Sequence, residues 1–144
     1  MDEIATREGV VGEVLPAGAL TPCLATVLLV EDEQFVREGT SEALRSAGYS
    51  VLTARSAAEA GQLYRKCEDI VDLLLTDVVL PGESGRELGQ RFQCWNQRLK
   101  ILFMSGYAEQ IAGSDSRREE FLAKPFSAAV LLQRVADVLQ KGKE

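Results

Sequence analysis

Four short apolar runs, each closed by a polar residue, constrain this chain more than any other feature. TVLLV at 26–30, the segment 71–76, ILFM at 101–104 and FLA at 121–123 are followed by Glu31-Asp32-Glu33, Asp77, Ser105 and Lys124 respectively. Runs this short and this apolar are expected of strands buried on both faces. A further short strand is predicted over 49–54. Between the strands the apolar period changes to that of a helix. Val36, Thr40, Ala43, Leu44 and Ala47 fall on one face, and Gly48 supplies a stop. Ser56 and Glu59 have the spacing of a capping box, opening a helix with Ala60, Leu63 and Tyr64 inside. Leu88, Phe92 and Trp95 mark a third helix after Pro81-Gly82 and Gly85, and Ser127 caps a last one carrying Leu131, Val135, Val138 and Leu139.

Strands alternating with helices predict an α/β fold, a doubly wound parallel sheet of five strands covered on both faces. The 144 residues allow one such domain, over 26–141. Before it, Gly9, Gly12, Pro16, Gly18 and Pro22 interrupt every short apolar run, so 1–25 is expected to be a tail or linker, or to hold one extra strand over 10–15. Residues 142–144 are a C-terminal tail.

Composition excludes several functions. The chain has 16 Lys plus Arg against 22 Asp plus Glu, a net charge of −6, which speaks against nucleic-acid binding. No apolar run approaches the roughly 20 residues of a membrane span, and the acidic N-terminus lacks the basic flank of a signal peptide. Cys23, Cys67 and Cys94 form no CxxC pair and suit reduced thiols in a cytoplasmic compartment. There is no histidine, so serine–histidine hydrolysis, histidine metal sites and histidine phosphotransfer from within this chain are excluded.

In a doubly wound sheet, ligands bind outside the carboxyl ends of the strands. Glu31, Asp32, Asp77, Ser105 and Lys124 all fall there. Singly, each has a plainer role: Glu31–Glu33 as complements of a helix dipole, Asp77 as a turn residue, Lys124 as a solvated lysine. Together on one edge they have a chemistry. Clustered carboxylates need a compensating cation. An all-oxygen set without sulfur or imidazole suits magnesium better than zinc. A carboxylate beside such a cation can attack phosphorus and form an aspartyl phosphate, with the lysine and hydroxyl binding the transferred oxygens.

VLLVEDE at 27–33, LLLTDVVLPGESG at 73–85, ILFMSGY at 101–107 and FLAKPF at 121–126, in this order and spacing, resemble the receiver domain of two-component response regulators, with a flavour of the receivers of hybrid sensor histidine kinases. The resemblance spans Thr26 to about Gln140. It implies a flavodoxin-like (βα)5 fold with strand order 2-1-3-4-5. It implies that Asp77 takes a phosphoryl group from a phosphohistidine on a partner, a histidine kinase or histidine phosphotransfer protein, and that a downstream protein target reads the change. Asp32 is implied as the direct magnesium ligand, Glu31 as a ligand or as acting through water, and Val79 as the donor of a backbone carbonyl. Ser105 and Lys124 match the family's hydroxyl and lysine positions, and the Lys124–Pro125 peptide is expected to be cis. Phe121 holds the place of the aromatic switch partnered with Ser105, and Val79 and Tyr107 the places that tune phosphoryl loss.

Two departures stand out. Phe121 cannot donate a hydrogen bond as tyrosine does, and serine replaces threonine at 105, so the coupling between them is expected to be weaker. The segment 106–120 holds Gly106, Gly113 and a polar run, so the fourth helix is expected to be short or mobile, and the chain a monomer or weak dimer. Trp95 is expected to pack the third helix, and Cys67 and Cys94 to be plain helix residues. Both a single-domain regulator and the terminal receiver of a hybrid kinase fit the motifs. A degenerate receiver serving as a scaffold is the alternative. A phosphatase of the haloacid-dehalogenase type also uses an aspartyl phosphate, but Val79 stands where its second aspartate would be.

Overall fold

The computed structural model describes residues 24–67, 70–106 and 120–141. Five strands, β1 (Thr26–Val30), β2 (Ser50–Ala54), β3 (Leu73–Asp77), β4 (Lys100–Ser105) and β5 (Glu120–Ala123), form one sheet in the order β2-β1-β3-β4-β5. Every pairing is parallel. Four helices are described: α1 (Gln34–Ser46), α2 (Ala57–Cys67), α3 (Gly85–Trp95) and α4 (Ala128–Gln140). Residues 1–23 of the expected N-terminal tail, residues 107–119 of the segment expected to hold the fourth helix, and the last three residues lie outside the described residues. Strand ends differ from the sequence expectation by a residue or two: β3 starts later and takes in Asp77, and β4 takes in Ser105.

The apolar strands divide by alternation between two cores. Val27, Leu29, Leu73, Leu75, Leu102, Met104 and Leu122 pack with Leu44 of α1 and with Leu131, Val135 and Val138 of α4. Leu28, Val30 and Leu74 pack on the other face with Ala60 and Tyr64 of α2 and Leu88 and Phe92 of α3. Each fully buried leucine contributes about 1.5–3 kcal/mol, and both layers hold the central strands in one register.

The helix caps refine the sequence reading. Glu33 is the N-cap of α1, its side chain accepting from the Val36 amide at 3.1 Å. Ser56 accepts from the Glu59 amide at 3.1 Å, but Glu59 Oε1 accepts from the Arg55 amide at 2.6 Å rather than from Ser56, so the expected box closes one residue early. The reciprocal capping box lies instead at Ser84 and Glu87, opening α3. Ser127 caps α4 as expected. Gly48, at φ 108°, ends α1 in the left-handed region. Trp95 packs as expected, stacking on Phe92 at 5.6 Å and Tyr64 at 5.9 Å between ring centroids.

Gly85 is required by contact rather than by its dihedral angles. Its amide donates to Val78 O at 2.8 Å. A Cβ there would stand 1.8 Å from Asp77 O. Gly85→Ala is therefore expected to destabilise the fold by about 3 kcal/mol or more. Gly39, inside α1, has nothing within 4 Å of its added Cβ, so Gly39→Ala is expected to stabilise by about 0.5–1 kcal/mol. Urea unfolding of both variants checks the pair, and equal effects would contradict the contact.

Candidate functional site

The parallel register carries the five sequence-predicted residues to one edge. Val30 pairs with Ala54 and Thr76, Asp77 with Met104, and Ser105 with Ala123. Glu31 follows β1, Asp77 ends β3, Ser105 ends β4 and Lys124 follows β5. Glu31, Asp77 and Ser105 are buried, and Asp32 is exposed.

Lys124 organises the edge. Its Nζ lies 2.7 Å from Glu31 Oε1 and 2.6 Å from Asp77 Oδ1. Its amide donates to Ser105 O at 2.8 Å, so lysine and hydroxyl residue are tied through the backbone. The Lys124–Pro125 peptide is cis. Glu31 is held from two more sides: its Oε2 accepts from the Glu33 amide at 3.1 Å, and its carbonyl accepts from Arg37 Nη1 at 2.9 Å. Glu31, Asp32 and Asp77 each present a carboxylate oxygen within 4.8 Å of the others. The acidic triplet thus divides its work. Glu33 caps a helix, while Glu31 and Asp32 join Asp77.

Val79 lies two residues beyond Asp77 and is 56% exposed. Phe121, on β5, packs its ring against Phe103 with centroids 5.6 Å apart. Tyr107 lies outside the described residues. Sequence reading missed three contributors: Gly85 against the Asp77 backbone, Arg37 on the Glu31 carbonyl, and Arg86, whose guanidinium lies 5.4 Å from the Phe121 ring centre. Only Gly85 left a signal, a glycine just past the turn after Asp77.

The charges do not balance. Among the described residues, the three carboxylates of Glu31, Asp32 and Asp77 gather with one ammonium, that of Lys124, at an edge partly closed to water. Burial pushes Asp77 up to about 8, and the hydrogen bond and charge of Glu31 add to this against Lys124. Burial also works to raise Glu31, but hydrogen bonds with Asp77, Lys124 and the Glu33 amide, with the Lys124 charge, hold it below its usual value. Burial works to lower Lys124, yet both carboxylates together raise it. The cluster is thus short of positive charge, and its donors are hard oxygens. Both properties fit a divalent cation of the magnesium type.

A raised carboxylate pKa has a defined consequence for stability. Between the unfolded value, 3.8, and about 8, the folded chain holds a proton on Asp77 that the unfolded chain has lost. Asp77 then lowers stability progressively as pH rises through this window. Asp77→Asn leaves Lys124 and Glu31 as a balanced pair. In a chelator, it is expected to stabilise the chain by on the order of 2–4 kcal/mol at pH 9 and by little at pH 4. Denaturant midpoints across pH check this, and a pH-independent difference would contradict it.

Comparison with known proteins places this geometry. The family model described as the response regulator receiver domain matches residues 27–136. The sensor kinase CckA of Brucella abortus is 39% identical over 120 residues, covering 81% of this chain and 13% of that protein. The response regulator MprA of Mycobacterium leprae is 32% identical over 120 residues, covering 81% of this chain and 52% of that protein. The chain therefore spans about half or less of the length of these relatives. Among solved structures, the receiver domain of the hybrid histidine kinase CckA superposes with a TM-score of 0.71 at 33% identity, covering 81% of this chain and all of that one. The response regulator TrrA of Thermotoga maritima, in complex with Mg(2+)-BeF, superposes with a TM-score of 0.71 at 27% identity, covering 80% and 99%. With its five-stranded 2-1-3-4-5 sheet and acidic edge, this chain belongs to the response regulator receiver domain family.

Proposed function

We propose that this receiver is a phosphoacceptor. Asp77 takes a phosphoryl group from a phosphohistidine on a histidine kinase or histidine phosphotransfer protein. The observation that carries this is the Lys124 bridge to both Glu31 and Asp77, in a cluster still short of positive charge. Glu31, Asp32 and Asp77, with the Val79 carbonyl, would hold magnesium. The ion would supply charge neutralisation and favour the ionised form of Asp77.

The remaining steps belong to the chain. An Asp77 carboxylate oxygen attacks phosphorus, an O–P bond forms, the N–P bond of the partner breaks, and the imidazole leaves and gains a proton. Lys124 is freed from Asp77 and binds a phosphoryl oxygen. The Ser105 hydroxyl binds another, and Phe121 responds beside it. The backbone tie from the Lys124 amide to Ser105 O holds the two residues side by side at the strand ends. The changed surface then engages a downstream protein target.

The CckA likeness favours the architecture in which such a receiver is part of a hybrid sensor histidine kinase; a single-domain regulator would use the same site. The scaffold alternative lacks support, because all five residues are present: Glu31, Asp32 and Asp77 cluster, Lys124 bridges Glu31 and Asp77, and its amide reaches Ser105 O. The phosphatase alternative is disfavoured by Val79, which offers no acid–base group.

Titration of the wild-type chain with beryllofluoride and magnesium, followed by amide spectra and Trp95 fluorescence, is expected to show a saturable, magnesium-dependent change. Asp77→Asn is expected to abolish it. No amide response in the wild type would reject the proposal. Val79 is apolar, exposed and two residues beyond Asp77, so Val79→Asn, which can orient water, is expected to shorten the phosphoryl half-life. An unchanged half-life would remove Val79 from the tuning role.

A further inference from the structure

We propose that Arg86 is the positioning residue for the Phe121 ring, and that it ties this ring to the backbone carrying Asp77. The inference rests on the phosphoacceptor reading, in which Phe121 is the responding aromatic.

Main chain and ring of Phe121 are held by different parts of the fold. Its carbonyl accepts from Arg134 Nη2 of α4 at 3.1 Å, and the same nitrogen donates to Glu120 Oε1 at 3.0 Å. Leu122 points into the core under α1 and α4. By alternation the Phe121 ring points to the opposite face of the sheet, the one α3 covers. There it lies between two groups. Phe103, buried, packs at 5.6 Å between centroids with the rings tilted by 33°. The Arg86 guanidinium lies 5.4 Å from the ring centre, within the reach of a cation–π contact. A tyrosine at this place could be fixed through its hydroxyl. Phenylalanine has only its face and edge, and a cation over the ring is the polar contact open to it.

Arg86 is also placed to sense Asp77. It follows Gly85, whose amide donates to Val78 O at 2.8 Å. An added Cβ on Gly85 would stand 1.8 Å from Asp77 O. The first turn of α3 therefore rests directly on the Asp77–Val78 backbone with no side chain between. Ser84 and Glu87 close that turn with a reciprocal capping box, so it moves as one piece. A shift of the peptide at Asp77 carries Arg86 with it. In the structure Asp77 is paired with Lys124, its Oδ1 2.6 Å from the Nζ. The Arg86–Phe121 contact belongs to that conformation and opposes departure of the ring.

Fluorine resonances of the full chain labelled with 4-fluorophenylalanine test this, the Phe121 signal being assigned with Phe121→Leu. Wild type, Arg86→Gln and Arg86→Lys are titrated with beryllofluoride at fixed magnesium. In Arg86→Gln the Phe121 resonance is expected to be displaced before titration, and the midpoint to fall about two- to fivefold, the range a solvent-accessible cation–π contact supports. Arg86→Lys, which keeps the charge but loses the planar group, is expected to fall between. A role in folding alone would not move one ring resonance selectively while amide spectra stay native. An unchanged Phe121 resonance and midpoint in Arg86→Gln, alongside a normal wild-type response, would overturn the Arg86 role alone. No amide response in the wild type would overturn the phosphoacceptor reading, and Arg86's part in switching with it.

Discussion

One ammonium between two buried carboxylates is the interaction on which the rest of the molecule depends. Lys124 lies within 2.7 Å of Glu31 and 2.6 Å of Asp77, and those residues follow or end strands far apart in the chain. Such charges are tolerated in a protein interior only when paired and hydrogen-bonded. Here the pairing is incomplete by design of the residue types. Among the described residues Lys124 is the cation that meets both carboxylates, and burial, with Glu31 alongside, pushes Asp77 up to about 8. The site is stored imbalance. The two apolar layers on either face of the sheet offset its cost and hold the strand ends where the imbalance cannot relax.

That dependence explains why so much was legible in the sequence. A parallel strand buried on both faces must be apolar along its length, so 27–30 and 73–75 announce themselves. Once the strands are known to be parallel, the residue after each one lies on the same edge. The site was thus readable from chain order and one topological rule. What failed to show were contacts at right angles to the chain. The acidic triplet reads as three equal charges, yet Glu33 caps α1 while Glu31 turns to Lys124. Ser56 and Glu59 have the spacing of a capping box, but Glu59 reaches the Arg55 amide. Ser84 and Glu87, with the same spacing, close the box. Spacing sets what a side chain can reach, and the local backbone sets which donor it meets.

Gly85 and Arg86 make the same point more sharply. In the sequence they are a turn glycine and a surface arginine. In the fold the glycine lets α3 rest on the backbone of Asp77, and the arginine covers the ring of Phe121. Neither role follows from propensity or period, because each depends on an approach between α3 and strands it merely crosses.

The structure therefore separates a stiff part from a soft one. Stiffness is concentrated where phosphorus would be handled, in buried carboxylates, a lysine tied by its amide to Ser105, and a helix turn without slack at Gly85. Among the described residues at this edge, the Phe121 ring is held by weaker contacts. The main chain of Phe121 is clamped from α4 through Arg134, and the ring is held from the other face by dispersion with Phe103 and a cation. A contact of that kind is worth about 0.5–1 kcal/mol when accessible to solvent. It is enough to bias which place the ring occupies and too little to lock it there. A buried hydrogen bond in the same position would cost more to break, and the ring would answer a change at Asp77 less readily. A phenylalanine at 121 thus offers only a weak, non-directional contact where a tyrosine hydroxyl could offer a directional one, and under the proposal above Arg86 supplies that contact.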